Sequence, residues 1–271
     1  MAKTKKEMSF LDHLEELRWL LIRSTLAIFF FGIFAFVKIN YIFDNWLLVF
    51  KNPDFITYRF LCNLSQSFGT DGLCIESIEF NIQSLKMAEQ FSAHLWTALT
   101  FGFILAFPYI LWEIWKFIKP ALYDNERKYA AAFILISSFL FFIGILFGYF
   151  VIAPLSVNFL GNYSVSDTVE RNFKLASYIA IIKTSVLSSG LIFEMPIIIY
   201  FLAKMGLVTP EFLKKNRKYT FIIVLILAAI ITPPDVLSQI IVTIPMMLLY
   251  EVGIIISKII VKKEQQALSK Q

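Results

Sequence analysis

The sequence predicts an all-α membrane protein with six transmembrane helices. Apolar residues make up 58% of the 271 residues, and the mean hydropathy is +0.70. Long apolar runs recur along the chain, and a soluble protein of this size would expose too much of that surface. The net charge of +5 is divided among separate short segments, as topology signals are, so no nucleic-acid partner is expected.

Six apolar runs give the expected spans. An amphipathic helix at the membrane surface, with Phe10, Leu14 and Leu17 at helical spacing, leads directly into the first span. The third span is expected to end near Pro154, and Pro245 is expected to interrupt the sixth. The spans belong to one domain, residues 1–271, and lie at about 19–37, 92–112, 129–152, 177–205, 219–231 and 237–256.

The fifth apolar run, residues 219–231, is short. At a rise of roughly 1.5 Å per residue it reaches about 20 Å, against a hydrocarbon core of about 30 Å. A span of this length predicts either local thinning of the bilayer or a helix that is hidden behind other helices.

Basic residues are distributed unevenly between the two sides of this topology. Seventeen lysines and arginines fall in the N-terminal segment, the second and fourth loops and the C-terminal segment, whereas six fall on the other side. By the positive-inside rule both termini lie in the cytoplasm, and the chain is a multi-pass protein of the cytoplasmic membrane. The long segment 38–90 is then external.

The two cysteines, Cys62 and Cys74, both fall in this external segment. In an oxidising periplasm a disulfide between them is reasonable, and closing so short a loop contributes about 3 kcal/mol in the chain-entropy model. Two free thiols are the alternative interpretation.

One acid, Glu194, lies within an otherwise apolar run. A carboxyl group placed there costs a few kcal/mol, so it normally faces a polar partner or a water-filled cavity. Pro196 lacks a backbone donor and favours a kink close to this acid. A functional role for Glu194 is the default for an intramembrane acid, and a neutral side chain hydrogen-bonded to a neighbouring helix is the alternative.

Several kinds of chemistry have no support in the sequence. The two histidines, His13 and His94, lie on opposite sides of the predicted topology, so they give neither a metal site nor a nucleophile with its base. No glycine-rich phosphate loop occurs, and two cysteines are too few for structural zinc. We therefore expect no enzyme, no cofactor and no metal.

A few charged residues stand out at the ends of the predicted spans. Carboxylates on the basic cytoplasmic surface can bind a cationic partner, since arginine pairs bidentately with a carboxylate, but ordinary pairing of Glu15 with Arg18 is the alternative. Arg23 and Lys183 are expected to extend toward the headgroups, Glu113 and Glu251 to be interfacial, and Asp235 to cap the sixth helix.

Four motifs give the chain a resemblance to TatC, the six-span core subunit of the twin-arginine protein translocase. They occur in the family's order, on the expected elements, and cover nearly the whole chain. They are His13-Leu14-Glu15-Glu16-Leu17-Arg18, similar to H-L-x-E-L-R; Pro120-Ala121-Leu122-Tyr123 with Glu126-Arg127, similar to P-A-L-Y-x-x-E-R; Phe193-Glu194-Met195-Pro196, similar to F-E-x-P; and Thr232-Pro233-Pro234-Asp235 with Ser238-Gln239, similar to T-P-P-D-x-x-S-Q.

This resemblance implies a receptor for the twin-arginine signal peptides of folded proteins. It further implies transport driven by the proton-motive force, a compact cupped shape, self-association, and assembly with the single-span proteins TatA and TatB in the bilayer. By motif position the signal-peptide site would include Glu16 and Glu126 with Arg18 and Arg127. The polar contacts to partner helices would be Glu194, Pro196, Thr232 and Gln239, with Pro233, Pro234 and Asp235 forming the external turn.

A proton-coupled small-molecule carrier, with Glu194 as the titrating group, is the second hypothesis. Intramembrane acids in transporters commonly relay protons. The sequence lacks the inverted repeat and the paired broken helices that many carriers have, which disfavours this hypothesis.

Overall fold

Helices form most of the structure, a computed structural model that describes residues 10–67, 69, 74, 80–119, 130–166, 168, 170–233 and 235–268. Two strands, β1 (Asn81–Gln83) and β2 (Asn172–Lys174), pair in parallel, with Ile82 opposite Phe173. The helices are α1 (Phe10–Val37), α2 (Ile39–Ile42), α3 (Ile56–Ser67), α4 (Glu89–Ile118), α5 (Ala130–Phe147), α6 (Ala153–Asn162), α7 (Leu175–Phe193), α8 (Met195–Lys204), α9 (Pro210–Lys215), α10 (Arg217–Ile231) and α11 (Val236–Leu268).

Five helical stretches of the described chain are long and apolar enough to cross a membrane. They are His13–Val37, Glu89–Ile118, Ala131–Asn162, Leu175–Lys204 and Ser238–Lys262. The fifth predicted span corresponds to α10, which has 15 residues and a length of about 22 Å at 1.5 Å per residue. The fifth apolar run therefore forms a short helix, as its length predicted, and α1 confirms the helix that runs without a break from residue 10 into the first predicted span.

The structure corrects the predicted effects of two prolines on their helices. The third helical stretch does not end near Pro154, because a π turn (Gly148–Ile152) leads into α6 and the helix continues to Asn162. The carbonyl that Pro154 leaves without a helical donor belongs to Phe150, and the Thr57 hydroxyl donates to it. A side chain of α3 thus supplies the donor that proline lacks.

Pro245 does not interrupt the last helix, since α11 is continuous from Val236 to Leu268. A proline removes one hydrogen bond from the ladder. Val242 and Met246, on either side of it, are both buried in one apolar cluster with Val224 and Ala228. We infer that this packing holds the helix through the proline.

Tyrosine hydroxyls stabilise the irregular chain between α2 and α3. A π turn (Phe43–Leu47) and a 3₁₀ turn (Leu48–Lys51) expose carbonyl groups there. The hydroxyl of Tyr58 has a single proton to donate and lies within hydrogen-bonding distance of two carbonyl oxygens, those of Phe50 (3.1 Å) and Pro154 (2.9 Å). Burial raises the pKa of Tyr58, so it keeps this proton. Two more hydroxyls donate to carbonyls of this π turn, Tyr149 to Trp46 (3.0 Å) and Tyr178 to Leu47 (2.6 Å).

The chain divides into two compact units, Met1–Asn40 with His94–Phe139 and Tyr41–Ala93 with Leu140–Gln271. In the first unit α1 and α4 lie close enough that a Cβ on Gly102 would be 2.5 Å from the carbonyl oxygen of Ile28 and 2.9 Å from Cα of Gly32. Only glycine permits this approach of the two backbones. The second unit contains the apolar cluster around Val224 and the paired strands.

Within the second unit, Glu89 connects the segment that precedes α4 with the first turn of α7. The carboxylate is 7% exposed and accepts hydrogen bonds from the backbone N–H groups of Leu85 (2.8 Å), Lys86 (3.2 Å) and Ala176 (3.0 Å). The last of these lies in the first turn of α7, where N–H groups have no helical partner. Cys62 and Cys74 form a disulfide in the same unit, with their Cα atoms 4.2 Å apart.

We predict that Gly102→Ala destabilises the contact between α1 and α4. The new methyl group would meet backbone atoms that cannot rotate away, and overpacking of this kind costs about 1–3 kcal/mol. Gly32→Ala is the matched control, because its Cβ would lie 3.5 Å from the nearest atom and alanine favours a helix over glycine. Thermal unfolding of the purified protein measures both; equal unfolding temperatures for the two variants would contradict the prediction.

We also predict that Glu89→Gln loosens the contact between the segment that precedes α4 and the first turn of α7. A glutamine places an NH₂ group against one of three N–H donors, and hydrogen bonds to a charged group contribute about 1.5–3 kcal/mol. Hydrogen exchange at the amides of Leu85, Lys86 and Ala176 should accelerate about 10-fold or more, since about 1.4 kcal/mol is tenfold in an equilibrium. Glu170→Gln is the control, since Glu170 is exposed and, within the described residues, its side chain accepts one hydrogen bond, from the side-chain amide of Asn172. Unchanged exchange at all three amides would contradict this role for Glu89.

Candidate functional site

A cavity of about 260 Å³ lies between the first turns of α1 and the last turns of α4. It belongs entirely to the first unit. Its lining combines carboxylates, cations and aromatic rings, which suits a charged peptide segment better than an apolar ligand. The lining residues are Glu16, Trp19, Leu20, Arg23, Glu113, Lys116 and Phe117.

Glu113 is the buried anion of this cavity. Only 3% of its side chain is exposed, and it pairs with Nζ of Lys116 at 2.7 Å and with a guanidinium nitrogen of Arg23 at 3.4 Å. The sequence analysis did not predict that Glu113 is buried within the protein or that Arg23 pairs with it. Because an unpaired charge at this depth would be costly, the two cations explain how α4 retains an acid close to its end.

Aromatic rings extend this charge network on both helices. The guanidinium groups of Arg18 and Arg23 lie 5.7 Å and 5.9 Å from the ring centre of Trp19, and the ammonium of Lys116 lies 5.6 Å from that of Trp112. These are cation–π distances. Trp19 also lines the cavity, so the cavity wall contains an aromatic ring that already contacts arginine side chains.

Glu16 differs from Glu113 in its surroundings. It is exposed and lines the same cavity, and no ion pair joins it to a residue in the part of the chain that the structure describes. Glu15 does not line the cavity, and no ion pair between Glu15 and Arg18 is present. The two remaining residues of the expected site, Glu126 and Arg127, lie outside the described residues with the motif 120–123.

The second group of predicted residues belongs to the second unit. Glu194 is the single residue between α7 and α8 and is 9% exposed. Its backbone carbonyl accepts from Ile197 and Ile198 at the start of α8, and Pro196 is the second residue of that helix. The predicted kink near the acid is thereby confirmed.

The residues of the last predicted motif stabilise the junction of α10 and α11. Thr232 is buried and its hydroxyl donates to Ala228 (2.8 Å), while the amide of Gln239 donates to the carbonyl of Leu225 (3.1 Å). The carboxylate of Asp235 accepts from the N–H and hydroxyl of Ser238 at 2.8 Å and 2.7 Å, so it caps α11 as expected. Pro233 is buried beside Thr232, and Pro234 lies outside the described residues.

An apolar cluster connects α7 with α10. Ile192, two residues before Glu194, packs against the cluster that contains Ala228, the acceptor for Thr232.

Sequence reasoning missed Glu113 as a site residue. The available signal was its spacing of three from Lys116, together with Arg23 inside an apolar helix, two features that each favour an internal partner.

Comparison with known proteins identifies relatives over nearly the whole chain. Residues 12–245 match the family described as Sec-independent protein translocase protein (TatC). The protein of that name from Blattabacterium sp. subsp. Periplaneta americana is 44% identical over 266 residues, covering 97% of this chain and 100% of its relative. The one from Aquifex aeolicus is 33% identical over 260 residues, covering 96% and 98%.

Solved structures agree with this match. A crystal structure described as that of the twin-arginine translocase receptor TatC has a TM-score of 0.68 at 33% identity, covering 92% of this chain and 99% of the other. A second, of the same receptor in the detergent DDM, has a TM-score of 0.69 at 34% identity, covering 90% and 99%.

Proposed function

The chain belongs to the TatC family of Sec-independent protein translocase proteins, and we propose that it is the signal-peptide receptor and core subunit of a twin-arginine translocase. As a member of this family it is a transport protein rather than an enzyme. In the proposed role it exports folded proteins across the cytoplasmic membrane with energy from the proton-motive force. It has six spans, counting α10 as the fifth, and both termini are in the cytoplasm.

The observation that carries this proposal is the cavity wall formed by Glu16 and Trp19. Two cations already neutralise Glu113, whereas Glu16 is exposed at the cavity without an ion partner among the described residues. A guanidinium forms two parallel hydrogen bonds with a carboxylate and stacks on an indole ring, which lysine does less well. These groups therefore favour an arginine of the signal peptide. Glu126, with Arg127, would complete the site from the adjoining loop.

We further propose that Glu194, Thr232 and Gln239 contact the spans of TatA-like and TatB-like partners. Glu194 interrupts the helix where a partner's polar group can meet it, and Gln239 is half-buried with its amide oxygen uninvolved in the bond to Leu225. A polar contact in hydrocarbon contributes about 1–2 kcal/mol in model peptides. Self-association of the receptor then brings several such sites into one translocase.

The receptor function predicts selective binding of a twin-arginine signal peptide to the protein in nanodiscs. We expect Glu16→Gln to weaken binding about 10-fold, because a hydrogen bond to a charged group contributes about 1.5–3 kcal/mol. Glu15→Gln is the matched control, adjacent in sequence but outside the cavity lining, and should bind normally. A peptide with two lysines in place of the arginines tests selectivity. Equal affinity for both peptides would contradict the receptor function.

A further prediction separates transport from binding of the signal peptide. We expect Glu194→Ala to abolish export of a folded reporter by membrane vesicles that contain the partners and a proton-motive force, while peptide affinity is unchanged. The loss follows because the variant removes the polar group at the break between α7 and α8. Glu211→Ala, which changes an exposed acid in α9, should export normally. Full export by Glu194→Ala would reduce this residue to a structural role.

A further inference from the structure

The charges around the cavity balance within the described lining. Two carboxylates, Glu16 and Glu113, face two cations, Arg23 and Lys116. The side chains of Arg23 and Lys116 are 50% and 49% exposed, whereas that of Glu113 is 3% exposed. Any ligand in the cavity therefore meets the two cations and Glu16 directly, and it senses Glu113 through the cations that Glu113 neutralises.

This arrangement matters because the proposed ligand carries two positive charges close together. Arg23 and Lys116 would repel such a peptide if their own charges were not compensated. Glu113 supplies that compensation from behind them, with one carboxylate oxygen toward Lys116 and the other toward Arg23.

Direct contact between Glu113 and a peptide arginine does not fit this geometry. Its oxygens are already bonded to chain residues, and burial leaves no face of the carboxylate open to a large guanidinium. Removing one partner of a buried charge pair leaves the other charge uncompensated, and here the exposed members of the group are the cations. The effect of Glu113 on a ligand is thus exerted through Arg23 and Lys116.

We propose that Glu113 is a positioning residue for signal-peptide recognition: it neutralises and holds Arg23 and Lys116, so that Glu16 remains the attractive charge for an incoming arginine pair. This inference rests on the receptor function proposed above and adds to it a residue that sets the affinity of the cavity for a doubly positive peptide. It makes the group of Glu113, Arg23 and Lys116 part of the receptor site rather than a contact that only joins α1 to α4.

The test uses charge restoration in the full-length protein in nanodiscs of a neutral lipid. Glu113→Gln keeps the shape of the side chain but gives the lining a net charge of about +1, and we expect about 5- to 10-fold weaker binding of the twin-arginine peptide. Lys116→Gln alone gives about −1 and should bind the peptide more tightly than the wild type. The double variant restores neutrality and should recover most of the affinity.

The double variant distinguishes electrostatics from structure. It lacks the ion pair between Glu113 and Lys116 altogether, so a purely structural role predicts binding at least as weak as in Glu113→Gln. Raising the salt concentration should reduce the difference between Glu113→Gln and the wild type, because ions screen partly exposed charges. If Glu113→Gln does not fold, Lys116→Gln decides alone, since a structural role predicts weaker binding and the proposal predicts tighter binding.

The outcomes also separate this inference from the function on which it rests. If the wild type binds the arginine peptide and the lysine peptide equally well, the receptor function is overturned. A wild type that discriminates, together with unchanged binding in Glu113→Gln or no recovery in the double variant, overturns only the role of Glu113.

Discussion

Backbone hydrogen bonding inside an apolar medium is the constraint on which this structure depends. An unsatisfied N–H or C=O group in hydrocarbon costs several kcal/mol, so every break in a helix needs a compensating partner. At Pro154 the partner is the Thr57 hydroxyl, which donates to Phe150 four residues earlier. Tyr58 then donates to the carbonyl of Pro154 itself. Helix α3 is thus part of what allows the third helical stretch to continue past its proline.

The same constraint explains which sequence predictions succeeded. Apolar runs and the kink before Pro196 depend on local composition, and the structure agrees with them. The effects of Pro154 and Pro245 depend on partners distant in sequence, a hydroxyl in one case and a packed cluster in the other. A rule that considers only the helix containing the proline cannot include them. The strands β1 and β2 have three residues each, too short for a periodic signal.

The candidate site, like the fold, was predicted only in part. Glu16 followed from a motif and lines the cavity. Glu113 was assigned to the membrane interface, because nothing in the sequence indicates that Arg23 contacts it. These two residues are 90 positions apart and meet because glycine permits α1 and α4 to approach closely at Gly102. The contact is a tertiary one, and single-sequence periodicity carries no information on it.

A site for a doubly positive peptide on a basic surface has to solve an electrostatic problem. In the proposed topology the lysines and arginines that orient the spans would also repel such a ligand, and moving them away would weaken the topology signal. A carboxylate buried behind two of these cations would cancel their net repulsion without removing the residues. The close contact of α1 and α4 at Gly102 would hold the helices that carry Glu16 and Trp19 in a fixed relation. Charge balance acts on any doubly positive peptide, and in the proposed receptor the preference for arginine over lysine comes from the planar guanidinium, which pairs bidentately with a carboxylate and stacks on an indole ring.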